Sequence, residues 1–187
     1  MGQPLGRFGR VSSWINWEDV EGSPALRDLL IFDLDETLVH ARARALPRAA
    51  AFRCSCYFVY VRPHFIEMLD QVAGLYDIAV WSSSSRSYVD QVVSQIFPSD
   101  LRLRFAWCVD QCIQRADPHS GGYVYIKDLR KAQKFGYAVD RIIMVDDSTE
   151  KVARQPRNHL LVSPFEGDAD DQELLSLGRQ LLARQSK

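Results

Sequence analysis

Acids interrupt an apolar run near the start of the chain. In "IFDLDETLVH", residues 31 to 40, Ile31, Phe32 and Leu34 are split by Asp33 and Asp35, Glu36 follows, and Leu38 and Val39 resume the run. Three more polar points stand at the ends of apolar stretches: Ser82 after "IAVW", Lys127 after "YVYI" and Asp146-Asp147 after "IIMV". Carboxylates gathered in one crevice repel unless a cation sits among them. Hard oxygen ligands select Mg²⁺. Carboxylates, a lysine and a hydroxyl around such a cation suit the binding and transfer of a phosphoryl group. Each feature alone has a plainer reading. An Asp pair caps helices or opens turns, Ser82 can cap the helix that follows, and a lone lysine is usually solvated. It is the convergence of all four at strand ends that points to chemistry.

The elements that must position these residues alternate. "LLIFDLD", "CYFVYVR", "DIAVWS", "RFAWCVD", "YVYIKDL", "RIIMVDD" and "HLLVSPF" read as strands. "PHFIEMLDQVAGLY" reads as a helix with Pro at its start and Phe65, Ile66, Leu69, Val72 and Ala73 on one face. "SRSYVDQVVSQIF" and "DLRKAQKFGY" read as two more helices. The chain closes on an amphipathic helix in "DADDQELLSLGRQLLARQSK", acidic at its start and basic at its end. "HARARALPRAAAFRC" reads as a basic loop. The alternation predicts an α/β fold, a Rossmann-like, mainly parallel sheet with helices on both faces. Ligands bind such sheets at the carboxyl ends of the strands, near the switch point.

At 187 residues, 47% hydrophobic and 25% charged, the chain has the makings of one well-filled domain. Lys plus Arg total 23 against 24 for Asp plus Glu, which argues for no nucleic-acid partner and no acidic membrane surface. No apolar run approaches the roughly 20 residues of a membrane span. "MGQPLGRFGRVSSW" lacks the apolar core of a secretory signal, and Leu5 and Gly6 stand where a myristoylation start needs Ser or Thr. A cytoplasmic monomer is the expectation, with a nuclear location open to a eukaryotic chain. Residues 1 to 27 read as an N-terminal segment, flexible or docked through Trp14, Ile15 and Trp17, ahead of a domain over 28 to 187. Cys54, Cys56, Cys108 and Cys112 lack zinc-site spacing. Cys54 and Cys56, at strand period with Phe52 and Phe58, read as buried, reduced thiols.

The ordered set resembles the haloacid dehalogenase superfamily. Within it, "FDLDETLVH", "VRPHFIEML", "VWSSSSRSYVDQV", "YIKDL", "IIMVDDS" and "SPFEGDADDQELLSL" resemble the small C-terminal-domain phosphatases of the FCP/SCP, or NLI-interacting-factor, type. The resemblance covers roughly residues 28 to 182. It implies Mg²⁺-dependent hydrolysis of phosphomonoesters. Asp33 would be the nucleophile that forms an aspartyl-phosphate, and Asp35 the acid that protonates the leaving oxygen and then activates water. Lys127 would offset developing charge. Ser82, where relatives more often carry Thr, would bind a phosphoryl oxygen, with Thr37, Ser83 and Arg86 completing the substrate-binding set. Mg²⁺ would be held by the Asp33 carboxylate, the Asp35 carbonyl, and Asp146 and Asp147. Relatives often carry Asp-Asn at the last pair, and Asp147 is favoured as the direct ligand.

The residue types suit these roles. A carboxylate is ionised at neutral pH and needs no neighbouring base, whereas an acid catalyst needs a raised pKa, which nearby acids can supply. The stretches from Asp33 to Ser82 and from Ser82 to Lys127 leave no room for a large cap domain. An open crevice suits a phosphoserine or phosphothreonine presented on a protein or peptide, while small metabolites usually need enclosure. A capless small-molecule phosphatase and a silent binding module of the same fold are the alternatives; the presence of both Asp33 and Asp35 speaks against the second. A response-regulator receiver would carry its acid pair and its phosphorylated Asp in the reverse order. A dehalogenase would not need Asp35, and a P-type ATPase would carry Thr there.

Overall fold

The computed structural model describes residues 27–117 and 121–185. The expected docking of Trp14, Ile15 and Trp17 lies outside the described residues. Among the described residues, ten strands and three α-helices follow in order: β1 (Asp28–Phe32), β2 (Val39–Arg42), β3 (Phe52–Cys54), β4 (Tyr57–Val61), α1 (Phe65–Val72), β5 (Tyr76–Trp81), α2 (Arg86–Ile96), β6 (Ala106–Trp107), β7 (Ile113–Ala116), β8 (Tyr123–Ile126), β9 (Ile142–Asp146), β10 (His159–Leu161) and α3 (Glu173–Gln185). Five of the strands form one parallel sheet in the order β10-β9-β1-β5-β6. From β1 the chain moves out to β5 and β6, then returns to lay β9 and β10 on the other side. The order therefore reverses at β1 and β9, and their carboxyl ends open the crevice.

The apolar run of β1 is explained by burial on both faces. Leu30 and Phe32 pack with Ile78, Val80, Ile143 and Val145 against the three α-helices. Leu29 and Ile31 pack with Ala79, Trp81, Ile142 and Met144 against Phe105, Trp107, Tyr137 and the 3₁₀ segment Leu129–Phe135. Each of Leu29, Leu30, Ile31 and Phe32 is wholly buried, at about 1.5–3 kcal/mol apiece. That anchor fixes where Asp33 emerges. The segment expected as a short α-helix in "DLRKAQKFGY" is the 3₁₀ turn on this second face, stopped by Gly136 at φ 89°.

Several expectations give way. On α1 the buried face is Phe65, Met68, Leu69 and Val72, while Ile66 is 47% exposed. The i, i+3, i+4, i+7 spacing selects Met68 over Ile66. The basic loop holds two short strands, and β2-β4-β3 make a small antiparallel sheet. Cys54 is buried but Cys56 is exposed, because Ser55 turns the chain at φ 54° between β3 and β4. The two cysteines thus share no face. Strand β8 is not part of the parallel sheet; it pairs with β7 in a separate hairpin that delivers Lys127 from outside. Among the described residues the small sheets stand beside α1 and β5 between Asp33 and Ser82, and beside α2 and β6 between Ser82 and Lys127, and neither amounts to a large cap domain.

Candidate active site

The Asp33 amide donates to the Val145 carbonyl at 2.9 Å, extending the β1–β9 pairing by one residue. Asp33 and Asp146, the last residue of β9, therefore emerge side by side. Beyond Asp33 the chain turns at once. The amides of Leu38 and Val39 both donate to the Leu34 carbonyl, at 2.8 and 3.0 Å, and Glu36 adopts φ 59°. The turn seats Asp35 on the same loop as Asp33. Arg62, buried at the end of β4, donates to the Thr37 carbonyl and makes a two-bond ion pair with Asp171, tying this turn to the start of α3.

Asp33 is 1% exposed and held on both oxygens. Its Oδ1 accepts from the Leu34 amide at 2.8 Å and lies 2.9 Å from Lys127 Nζ. Its Oδ2 accepts from Lys151 Nζ at 2.8 Å. Lys127, wholly buried, also donates to Asp146 Oδ2 at 2.6 Å. Lys151 Nζ stands 3.4 Å from Asp147 Oδ1 and 3.6 Å from Asp146 Oδ1. The Lys127 amide donates to the Lys151 carbonyl at 2.7 Å, so the backbones that carry the two lysines are joined. Burial alone would raise the Asp33 carboxyl, but the two ammoniums outweigh it and hold the group below its ordinary value. Asp146 goes the other way: burial and the Asp33 charge push it up, against the pull of both lysines.

Asp35 sits among hydroxyls. Tyr88, on the first turn of α2, donates to its Oδ1 at 2.5 Å, and Ser84 donates to its Oδ2 at 2.7 Å. Ser82 Oγ lies 3.4 Å from the same Oδ2 and accepts from the Ser84 amide at 3.0 Å. The Ser82 amide in turn donates to the Trp107 carbonyl, which fixes the end of β5. Burial raises the Asp35 carboxyl above its ordinary value; the Tyr88 bond opposes this and the Asp33 charge adds to it. The Tyr88 hydroxyl is itself pushed up, by burial and by Asp35, so it stays a donor.

The structure thus brings together Asp33, Asp35, Ser82, Lys127, Asp146 and Asp147. Ser83 is half-buried on the loop between β5 and α2. Thr37 is wholly buried and its hydroxyl has no hydrogen-bond partner. Arg86 is exposed, and its guanidinium is engaged by the Ala106 carbonyl and by Asp90. Tyr88 and Ser84 fall within "VWSSSSRSYVDQV" with nothing there to single them out, and Lys151 lies outside the quoted motifs. Lys151, four residues after Asp147, reads as an ordinary exposed ion pair, and Tyr88 as one more helix aromatic. One oxygen from each of Asp33, Asp146 and Asp147 lies within 4.8 Å of the others. An all-carboxylate donor set of this kind fits Mg²⁺.

The chain matches the family described as NLI interacting factor-like phosphatase over residues 28–185. It is 29% identical over 155 residues to the human CTD small phosphatase-like protein, covering 79% of this chain and 52% of that one. It is 27% identical over 158 residues to CTD small phosphatase-like protein 2 of Dictyostelium discoideum, covering 79% of this chain and 26% of that one. It is also 29% identical over 166 residues to the CTD nuclear envelope phosphatase 1 homolog of Drosophila melanogaster, covering 81% of this chain and 65% of that one. The chain thus spans from a quarter to about two thirds of the length of these relatives. Its fold is similar to that of fission yeast RNA polymerase II CTD phosphatase Fcp1 bound to beryllium fluoride, with a TM-score of 0.57 at 19% identity, over 86% of this chain and 51% of that one. It is also similar to a haloacid dehalogenase-like hydrolase from Xanthomonas campestris, with a TM-score of 0.52 at 14% identity, over 86% and 98%.

Proposed function

The chain belongs to the NLI interacting factor-like phosphatases, and on that premise we propose that it hydrolyses phosphoserine or phosphothreonine on a protein through an aspartyl-phosphate on Asp33. The observation that carries this reading is the contrast between two carboxylates on one loop. Asp33 is kept ionised by two lysines, and Asp35 is held by hydroxyls with its pKa raised. In the first step Asp33 attacks phosphorus, the bond to the leaving oxygen breaks, and Asp35 gives that oxygen its proton. In the second step Asp35 takes a proton from water, the water oxygen attacks phosphorus, and the bond to Asp33 breaks to release phosphate. Lys127 offsets the charge on Asp33 throughout, and Ser82 orients a phosphoryl oxygen.

Asp33, the Asp35 carbonyl, Asp147 and Asp146 would hold Mg²⁺, which supplies charge neutralisation at the phosphoryl oxygens. Asp147 is favoured as the direct ligand because both Asp146 oxygens are engaged, by Lys127 and by the Ser148 amide. The absence of a large cap among the described residues supports a phosphoresidue on a protein as substrate. A monomer that works in the cytoplasm or nucleus belongs to the same proposal. No helix among the described residues is long and apolar enough to cross a membrane.

The test is turnover on a panel of phosphoserine and phosphothreonine peptides set beside small phosphate metabolites, with Mg²⁺ and with EDTA. Peptide turnover that EDTA silences and Mg²⁺ restores is expected. Turnover confined to metabolites moves the substrate to the small-molecule class. No turnover of any substrate removes the enzymatic reading.

A further inference from the structure

We propose that the Lys151 side chain competes with the divalent cation for one position, so that Lys151 is a built-in gate on cation binding. The inference rests on the metal reading above. Lys151 Nζ touches one oxygen from each of three carboxylates: Asp33 Oδ2 at 2.8 Å, Asp147 Oδ1 at 3.4 Å and Asp146 Oδ1 at 3.6 Å. These are the three residues whose oxygens converge closely enough to ligate a metal. A Mg²⁺ ion binds oxygens at roughly 2.0–2.1 Å. Placed among the same oxygens it would lie inside the shell that the ammonium fills, and the two cations would repel. The side chain must withdraw for the ion to enter.

The two lysines divide the carboxylates between them. Lys127 takes Asp33 Oδ1 and Asp146 Oδ2, and Lys151 takes the opposite oxygen of each. Because the Leu34 amide and Lys127 both occupy Asp33 Oδ1, Oδ2 is the oxygen left to ligate a cation. Lys151 covers that oxygen. Lys127 is wholly buried on a segment that enters from the β7–β8 hairpin, whereas the Lys151 side chain is 21% exposed. The Lys151 carbonyl is pinned by the Lys127 amide, so the backbone stays in place while the four-carbon stem swings. Cation binding then takes over both the charge that Lys151 was compensating and the place of its ammonium at Asp33 Oδ2.

The experiment is Mg²⁺ titration calorimetry on the full chain, with thermal melts in EDTA and in saturating Mg²⁺, for wild type, Lys151→Met and Lys151→Arg. A gate gives effects of opposite sign. Lys151→Met should bind Mg²⁺ roughly ten- to a hundredfold more tightly, within the usual range of coupling between two ligands. It should also melt lower than wild type in EDTA and gain more from Mg²⁺. A merely structural lysine would lower the melting temperature without tightening the ion. Lys151→Arg keeps the charge and should stay near wild type. Unchanged or weaker Mg²⁺ binding by Lys151→Met overturns the gate while leaving the metal reading in place. A flat wild-type isotherm overturns both. The wild type gives a second measurement that needs no variant: Mg²⁺ should speed reductive methylation of Lys151, read by mass spectrometry. Unchanged or slower labelling in saturating Mg²⁺ overturns the proposal.

Discussion

Asp33 and Asp35 are one residue type, two positions apart on one loop, yet they live in different media. Asp33 is buried between two ammoniums and a backbone amide. Asp35 is partly exposed and touched by Tyr88, Ser84 and Ser82. The Lys127 and Lys151 ammoniums hold Asp33 below the usual carboxylate range, while burial and the Asp33 charge lift Asp35 above it. Position on a strand end therefore does not assign a role; the partners brought by other elements do. When two titratable neighbours are pushed apart in pKa, the acid and the nucleophile are distinguished. Lys127 comes from the β7–β8 hairpin, Lys151 from the loop after β9 and Tyr88 from α2, so three separate segments produce the difference.

The largest expected effect comes from Asp33→Asn. It deletes the ionised oxygen that would attack phosphorus, so turnover should fall to background and no acid-stable, hydroxylamine-labile phosphoenzyme should form in a rapid quench. Lys127 keeps Asp146 as a partner, so circular dichroism should report a folded chain. Substantial turnover by this variant would erase the contrast, since Asp33 would no longer be the nucleophile. Asp35→Asn comes next, with a loss of about 10²- to 10⁴-fold that depends on the leaving group. A phosphoserine peptide leaves as a poor alkoxide and should lose most in the first step. An aryl phosphate leaves easily, so it should give a burst and then a trapped aspartyl-phosphate. Equal first-step losses on both substrates would show that Asp35 is not the acid.

Much of this contrast was legible in the sequence, and the missing part has a physical reason. The apolar runs of β1, β5 and β9 are long because both faces of those strands are buried, and they flagged Asp33, Asp35, Ser82, Asp146 and Asp147 at once. Lys127 reads in the sequence as the end of a strand of the main sheet, and there the structure differs. Its strand belongs to a hairpin outside the sheet, and periodicity cannot say which strand pairs with which. Lys151 and Tyr88 were invisible because their importance is entirely a matter of long-range contact. Lys151 lies 118 positions from Asp33, and Tyr88 lies 53 from Asp35. The strands β2 and β3 were lost in an Ala- and Arg-rich stretch where three or four residues give no alternation to read.

Tyr88→Phe probes the hydroxyl side of the comparison with a smaller effect. The Tyr88 hydrogen bond favours the ionised form of Asp35, so its loss should raise the Asp35 pKa further. A hydrogen bond to a charged group is worth about 1.5–3 kcal/mol, and the rate should fall by roughly tenfold or more where Asp35 must act as a base. The general-acid step is lost as pH rises through the Asp35 pKa, so the alkaline limb of the first-step pH profile should move up. A limb that stays in place would mean that Tyr88 only packs against the loop.

The smallest effect is on stability, and it tests both sides of the contrast in one measurement. The folded pKa of Asp33 is depressed, so its contribution to stability is present above the unfolded carboxylate value of about 3.9 and is lost as pH falls through the folded value. The folded pKa of Asp35 is raised, so its contribution is complete below that same unfolded value and is lost as pH rises through the folded one. Asparagine titrates at neither position. In EDTA, Asp33→Asn should therefore melt below wild type at neutral pH, and the gap should close as pH drops below 4. Asp35→Asn should match wild type in acid and gain on it as pH rises, levelling off above the folded pKa. A tenfold difference in proton affinity between the folded and unfolded chain is worth about 1.4 kcal/mol, and 1 kcal/mol moves the melting temperature of a chain of this size by roughly 2–4 °C. Two difference curves of opposite slope are expected from melts taken at closely spaced pH values. Curves that run parallel would mean that the lysines and the hydroxyls do not separate the two carboxylates, and the assignment of nucleophile and acid would lose its physical basis.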